Sequence, residues 1–141
     1  MQELSARAEY ALLAVLDLAR HASEQEPVKV GQVAERTGAP EKYLVQIFQE
    51  LKKHCIVNSV RGRSGGYFLV RPPRQISVAQ VLKAAMTDEK PFAETGAQET
   101  ADRQAVRSLW LQKERERMQA LSRVSIDKLL AQAETAAQPN A

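Results

Sequence analysis

"VRGRSGGYFLV", residues 60–70, sets two arginines and three glycines between two apolar runs, and its reading decides the fold. Glycine weakens a strand and arginine avoids a core. The segment therefore reads as a hairpin turn between two short β-prone runs, "IVNSV" (56–60) and "YFLV" (67–70). Gly62, Gly65 and Gly66 allow backbone angles that other residues resist, and let bare backbone approach a surface. Arg61 and Arg63 then project from the tip, where a planar guanidinium fork suits phosphate or a narrow minor groove. The competing reading is an ordinary exposed hairpin with incidental arginines.

Upstream lies "VGQVAERTGAPEKYLVQIFQELKKH", residues 30–54. A short helix over about 31–37 ends at Gly38, because glycine accepts the left-handed conformation that stops a helix. Pro40 opens a second helix, where its missing N–H costs nothing. Leu44, Ile47, Phe48 and Leu51 form one apolar stripe on that helix. Its other face carries Glu41, Lys42, Val45, Gln46, Gln49, Lys52 and Lys53. Two helices joined by a short glycine turn form either a helix-turn-helix or a plain helical hairpin. With the β-hairpin after them, the pattern becomes a winged helix, and the arginine loop becomes the tip of the wing.

The flanks complete the organisation. Residues 6–21 read as a helix with a stripe of Ala8, Leu12, Val15, Leu16 and Ala19. Leu13 and Leu18 lie off that stripe, so burial on two sides is expected, by its own domain and by a second chain. "RPPRQI" (71–76) breaks the chain, and "ISVAQVLKAAM" (76–86) starts a helix with Ser77 and Gln80 at capping-box spacing. Residues 87–101 are polar and read as a loop. A long helix is expected over 102–121, with Val106, Leu109, Trp110, Met118 and Leu121 on its apolar side. Ser125 caps a last helix, and the end of the chain, 135–141, reads as a disordered tail.

Composition narrows the function. The 141 residues suit one small domain with an oligomerising element. A hydrophobic content of 44% with only 5% aromatics points to a mainly α protein. Seven basic residues (Lys42, Lys52, Lys53, Arg61, Arg63, Arg71 and Arg74) face two acidic ones between positions 41 and 74, although the whole chain carries only +3. That concentration is the footprint of a polyanion partner, or else a solvated basic face. No nucleophile–base pair or metal-ligand spacing is present, and "GRSGG" lacks the lysine and the strand-to-helix context of a phosphate loop, so an enzyme is not expected. The apolar stretch 11–16 is too short for a membrane span, and a cytoplasmic protein is expected.

Five strings carry a resemblance: "SARAEYALLAVLDLA", "VAERTGAPEKYLVQIFQELKK", "VNSVRGRSGGYFLVRPP", "ISVAQVLKAA" and "SLW". Together they resemble the Rrf2 family of bacterial winged-helix regulators over most of residues 1–130, and the wing string is the most specific. The resemblance implies a homodimeric, DNA-binding transcriptional regulator on an inverted-repeat operator, expected to be a repressor. It implies a winged helix-turn-helix domain over 1–86 and a long dimerisation helix within 102–134. DNA contacts carry over to Pro40, Glu41, Lys42, Tyr43 and Gln46 on the recognition helix, and to Arg61, Gly62, Arg63 and Ser64 on the wing.

The chain also departs from the family. Val45 stands where a glutamate is usual, which replaces a hydrogen-bond acceptor for cytosine by an apolar contact and implies a different operator. Cluster-binding members carry three close cysteines before the dimer helix, whereas residues 87–104 have none, and Arg107 stands where some members supply a histidine. A [2Fe–2S] cluster needs four thiolates or a mixture with histidine, so no cofactor is expected. His21 and His54 read as ordinary polar residues. Cys55, the sole cysteine, follows Lys52, Lys53 and His54 and reads as a packed thiol or a redox switch. Trp110 reads as a dimer-core aromatic or the lining of an effector pocket. An unknown small-molecule or protein effector remains open, as does the alternative of a winged-helix protein-interaction module without specific DNA binding.

Overall fold

The chain winds around its first helix. The computed structural model describes residues 4–86 and 98–138. Helix α1 (Ala6–His21) begins where the Ser5 hydroxyl accepts from the Ala8 amide, and it buries Ala8, Ala11, Ala14, Val15, Leu16, Asp17 and Leu18. It packs against α2 (Val30–Thr37), α3 (Glu41–Lys53) and α4 (Val78–Ala85). Its burial on more than one side is thus supplied by its own chain.

Between α2 and α3 the backbone turns through Gly38 at φ 76°, the left-handed conformation expected there. Pro40 is the N-cap of α3 rather than its first helical residue. The wing is an antiparallel pair, β1 (Val57–Val60) with β2 (Gly66–Leu69), in the register Val57↔Leu69 to Val60↔Gly66. Val28 adds an isolated bridge to Tyr67 along the outer edge of β2. "RPPRQI" forms a 3-10 turn (Pro73–Gln75), and α4 then starts with the expected capping box between Ser77 and Gln80.

The core joins Leu18, Val33, Leu44, Ile47, Phe48, Leu51, Ile56, Ile76 and Val81, all with essentially no exposed surface. It also includes Ile126, from the start of α6 (Ile126–Ala137). Paired backbone bonds fix that return: Val78 donates to the Val124 carbonyl and Ile126 donates to the Ile76 carbonyl, each at 2.8 Å. The last helix therefore closes the same core as the winged part.

Helix α5 (Ala101–Ser122) starts one residue before the expected position, because the Thr100 hydroxyl caps the Arg103 amide. Residues 87–97 of the expected polar loop lie outside the described residues. Helix α6 runs through Ala137, so residues 135–137 are helical rather than part of a disordered tail. Alanine is the strongest helix former, and "AETAAQ" carries the helix on. Residues 139–141 lie outside the described residues. Among the described residues no helix is long and apolar enough to cross a membrane.

Candidate nucleic-acid interface

Helix α3 divides cleanly. Leu44, Ile47, Phe48 and Leu51 are buried, while Pro40, Glu41, Lys42, Tyr43, Val45 and Gln46 are exposed. The apolar stripe anchors the helix and so turns its polar face outward. Tyr43 keeps over half its surface free, and its ring meets Tyr10 at a centroid distance of 6.3 Å. That contact steadies one side of the exposed ring.

Arg61, Gly62, Arg63 and Ser64 are all exposed at the wing tip. The tip is tight because Gly65 donates its amide to the Gly62 carbonyl at 3.0 Å. A Cβ at position 65 would stand 2.1 Å from the Val60 carbonyl oxygen, so only glycine closes this turn.

Helix α3 and the wing are tied together twice. Phe48 of α3 stacks on Tyr67 of β2, with centroids 4.5 Å apart and planes 12° apart. Lys52 at the end of α3 donates to the Ser59 hydroxyl of β1 at 2.8 Å. The periodicity places Lys52 on the outer face of α3 and assigns it no partner. Side-chain periodicity tells which face is wet, not which neighbour a flexible lysine reaches.

A further support was also unpaired in the sequence. Asp17, in the apolar helix α1, is buried and receives both Nε and Nη2 of Arg36 on α2, at 2.8 and 2.9 Å. The hydrogen bond to Asp17 raises the Arg36 pKa, against the opposing effect of burial. The pair fixes α2 against α1, and so sets the platform on which α3 sits. The signal was an acid inside an apolar stripe. Its partner nineteen residues away has no periodic signature.

Cys55 is exposed, which overturns its reading as a packed thiol. It occupies the left-handed region at φ 59°, just past the end of α3, and this turn sends Ile56 into the core instead. Val106, Leu109 and Trp110 on α5 are exposed, as is Leu111, which lies off the expected apolar side. Met118 is half-buried, and Leu121 packs against the chain's own core.

The fold and these surfaces define a winged helix-turn-helix protein. A family model described as "Rrf2: Iron-dependent Transcriptional regulator" matches residues 4–132, and the chain belongs to that family. It is 43% identical over 81 residues to the HTH-type transcriptional regulator IscR of Xenorhabdus nematophila, covering 57% of this chain and 49% of that protein. It is 34% identical over 128 residues to the HTH-type transcriptional regulator slr0846 of Synechocystis, covering 90% of this chain and 86% of that protein. The solved structure of T. potens IscR superposes with a TM-score of 0.75 at 29% identity, covering 99% of this chain and 94% of that one. The matched segment spans about half the length of the Xenorhabdus protein.

The family's iron dependence can be tested against these residues. Among the described residues no three His, Cys, Asp or Glu side chains come together as a metal site. Cys55 is the sole cysteine, on the wing domain. Arg107, where some members supply a histidine, is paired with Glu99 at 2.8 Å, and a guanidinium has no lone pair for a metal. A thiolate-held cluster does not fit one copy of this chain.

Proposed function

We propose that this chain is a homodimeric, sequence-specific DNA-binding regulator of transcription, acting as a repressor and working without an iron–sulfur cluster. The observation that carries the reading is the coupling of two exposed donor surfaces, α3 and the wing tip, through Phe48–Tyr67 and Lys52–Ser59. In this mechanism α3 enters a major groove, where Tyr43 and Gln46 reach base edges and Val45 offers an apolar contact. Arg61 and Arg63 reach the flanking minor groove or phosphates. Two copies joined through α5 present this unit twice, to the two halves of an inverted repeat. The single cysteine supports the cluster-free part.

The test is a titration of genomic fragments at physiological salt. A competitor-resistant complex is expected. Arg61→Ala or Arg63→Ala should weaken it and lower the salt slope by about one unit if the contact is to phosphate. A folded protein that forms no competitor-resistant complex with any fragment of its genome would be an interaction module instead.

A further inference from the structure

A cavity of about 550 Å³ lies between the 3-10 turn, the start of α4 and the α5–α6 junction. Four cations line it: Arg74, Lys83, Arg123 and Lys128. No aspartate or glutamate lines it, and among the described residues no acidic side chain is paired with any of the four. Four like charges around one hollow repel one another, which an anion would relieve. Other cations of the chain are neutralised locally, at Lys53–Glu50, Lys113–Glu116 and Arg117–Glu114.

The floor is also rich in donors. Ser77 caps α4 and Ser125 caps α6, and the two serines face each other across an antiparallel bridge. Each hydroxyl accepts from an amide of its own helix at 3.1 Å, which leaves its proton free to donate outward. The two helix starts add their positive ends to the same space. Guanidinium forks, ammonium groups and hydroxyl donors without a carboxylate form a lining suited to phosphate oxygens.

We propose that this cavity binds a small phosphate-bearing metabolite, held by Arg74, Lys83, Arg123 and Lys128. The ligand would bridge the winged part, through Arg74 and Lys83, to the α5–α6 junction, through Arg123 and Lys128. Its occupancy would therefore fix how α5 is carried relative to the DNA-reading surface. The site does not depend on the DNA-binding reading, and its test makes no use of an operator.

The probe is inorganic pyrophosphate, titrated calorimetrically into the full chain in phosphate-free buffer at physiological chloride. Saturable binding at one site per chain is expected. Arg123→Gln with Lys128→Gln should weaken it roughly ten-fold or more, since two charge-assisted hydrogen bonds are lost. Arg20→Gln with Arg115→Gln removes the same charge from exposed positions elsewhere and should leave it unchanged. An unchanged melting temperature in the absence of pyrophosphate confirms that both variants fold. The proposal is overturned by heat that does not saturate, or by equal weakening in both double variants. It is also overturned if citrate binds as tightly, or if random duplex DNA displaces pyrophosphate and is itself weakened by Arg123→Gln with Lys128→Gln. That last outcome would make the cavity a DNA-backbone contact.

Discussion

The winged part and helix α5 follow opposite rules. In α3 every residue of the apolar stripe is buried within one chain. In α5 no residue is buried, although Val106, Leu109, Trp110 and Leu111 leave 65%, 57%, 43% and 39% of their surface to solvent. Both helices carry the same kind of signal, a run of large apolar side chains, but only one finds its partner in its own chain. Exposed large apolar side chains grouped on a helix otherwise rich in charge mark an interaction surface. The apolar stripe of α3 is thus satisfied within one chain, whereas the apolar side chains of α5 are not, and the proposed second copy would cover them. Its C-terminal end is different again, because Leu121 turns into the chain's own core.

The largest expected effect tests that contrast directly. Leu109→Asp with Trp110→Asp should convert the protein to a monomer of 15.7 kDa in sedimentation. Losing the second half of a bivalent grip should then weaken operator binding by about 10²–10⁴-fold. The winged part should keep its helicity, since neither side chain contributes to the core. A dimer that survives the double substitution would break the comparison. Phe48→Ala is the complementary case. It should cost about 3–5 kcal/mol of unfolding free energy, with the loss independent of protein concentration. It should also loosen the wing, because Phe48 stacks on Tyr67. Urea unfolding at two protein concentrations separates the two behaviours.

Asp17→Asn sharpens the comparison inside the winged part. Arg36 keeps about a third of its side chain exposed, so water can replace part of the lost pair. The expected cost is about 2 kcal/mol, between a neutral and a fully stranded buried ion. The loss should be read in thermal unfolding as well as in DNA affinity, since α2 would no longer be held squarely against α1. A normal melting curve would show that the pair contributes nothing to the platform.

What the sequence made legible follows the physics of each signal. Helix starts at Ser77 and Ser125, the Gly38 stop and the α3 stripe are local and periodic, and each stands where the spacing placed it. The wing hairpin was legible because a glycine cluster between two β-prone runs marks a tight turn. Contacts across long sequence separation were not. Asp17–Arg36, Phe48–Tyr67 and the packing of Ile126 into the core depend on which elements meet, and a period of 3.6 carries no such information. The cavity at the α4 and α6 starts escaped for the same reason: Arg74, Lys83, Arg123 and Lys128 come from four separate elements or junctions.

The smallest effect concerns the residue that closes α3. Cys55 holds φ 59°, a conformation that costs a non-glycine residue about 1–2 kcal/mol. Its amide is committed to the Lys52 carbonyl at 3.1 Å, and the next amide, of Ile56, to the Leu51 carbonyl at 3.0 Å, so the turn cannot relax without losing both. Glycine at this position would carry no such strain. Its greater freedom in the unfolded chain offsets part of the benefit, by about 0.5–1 kcal/mol. Cys55→Gly should therefore stabilise the protein by about 0.5–1 kcal/mol in urea unfolding, while Cys55→Ala should change it by less than about 0.5 kcal/mol. A loss of stability with glycine would mean that the exposed thiol makes a contact strong enough to outweigh the strain of its own backbone.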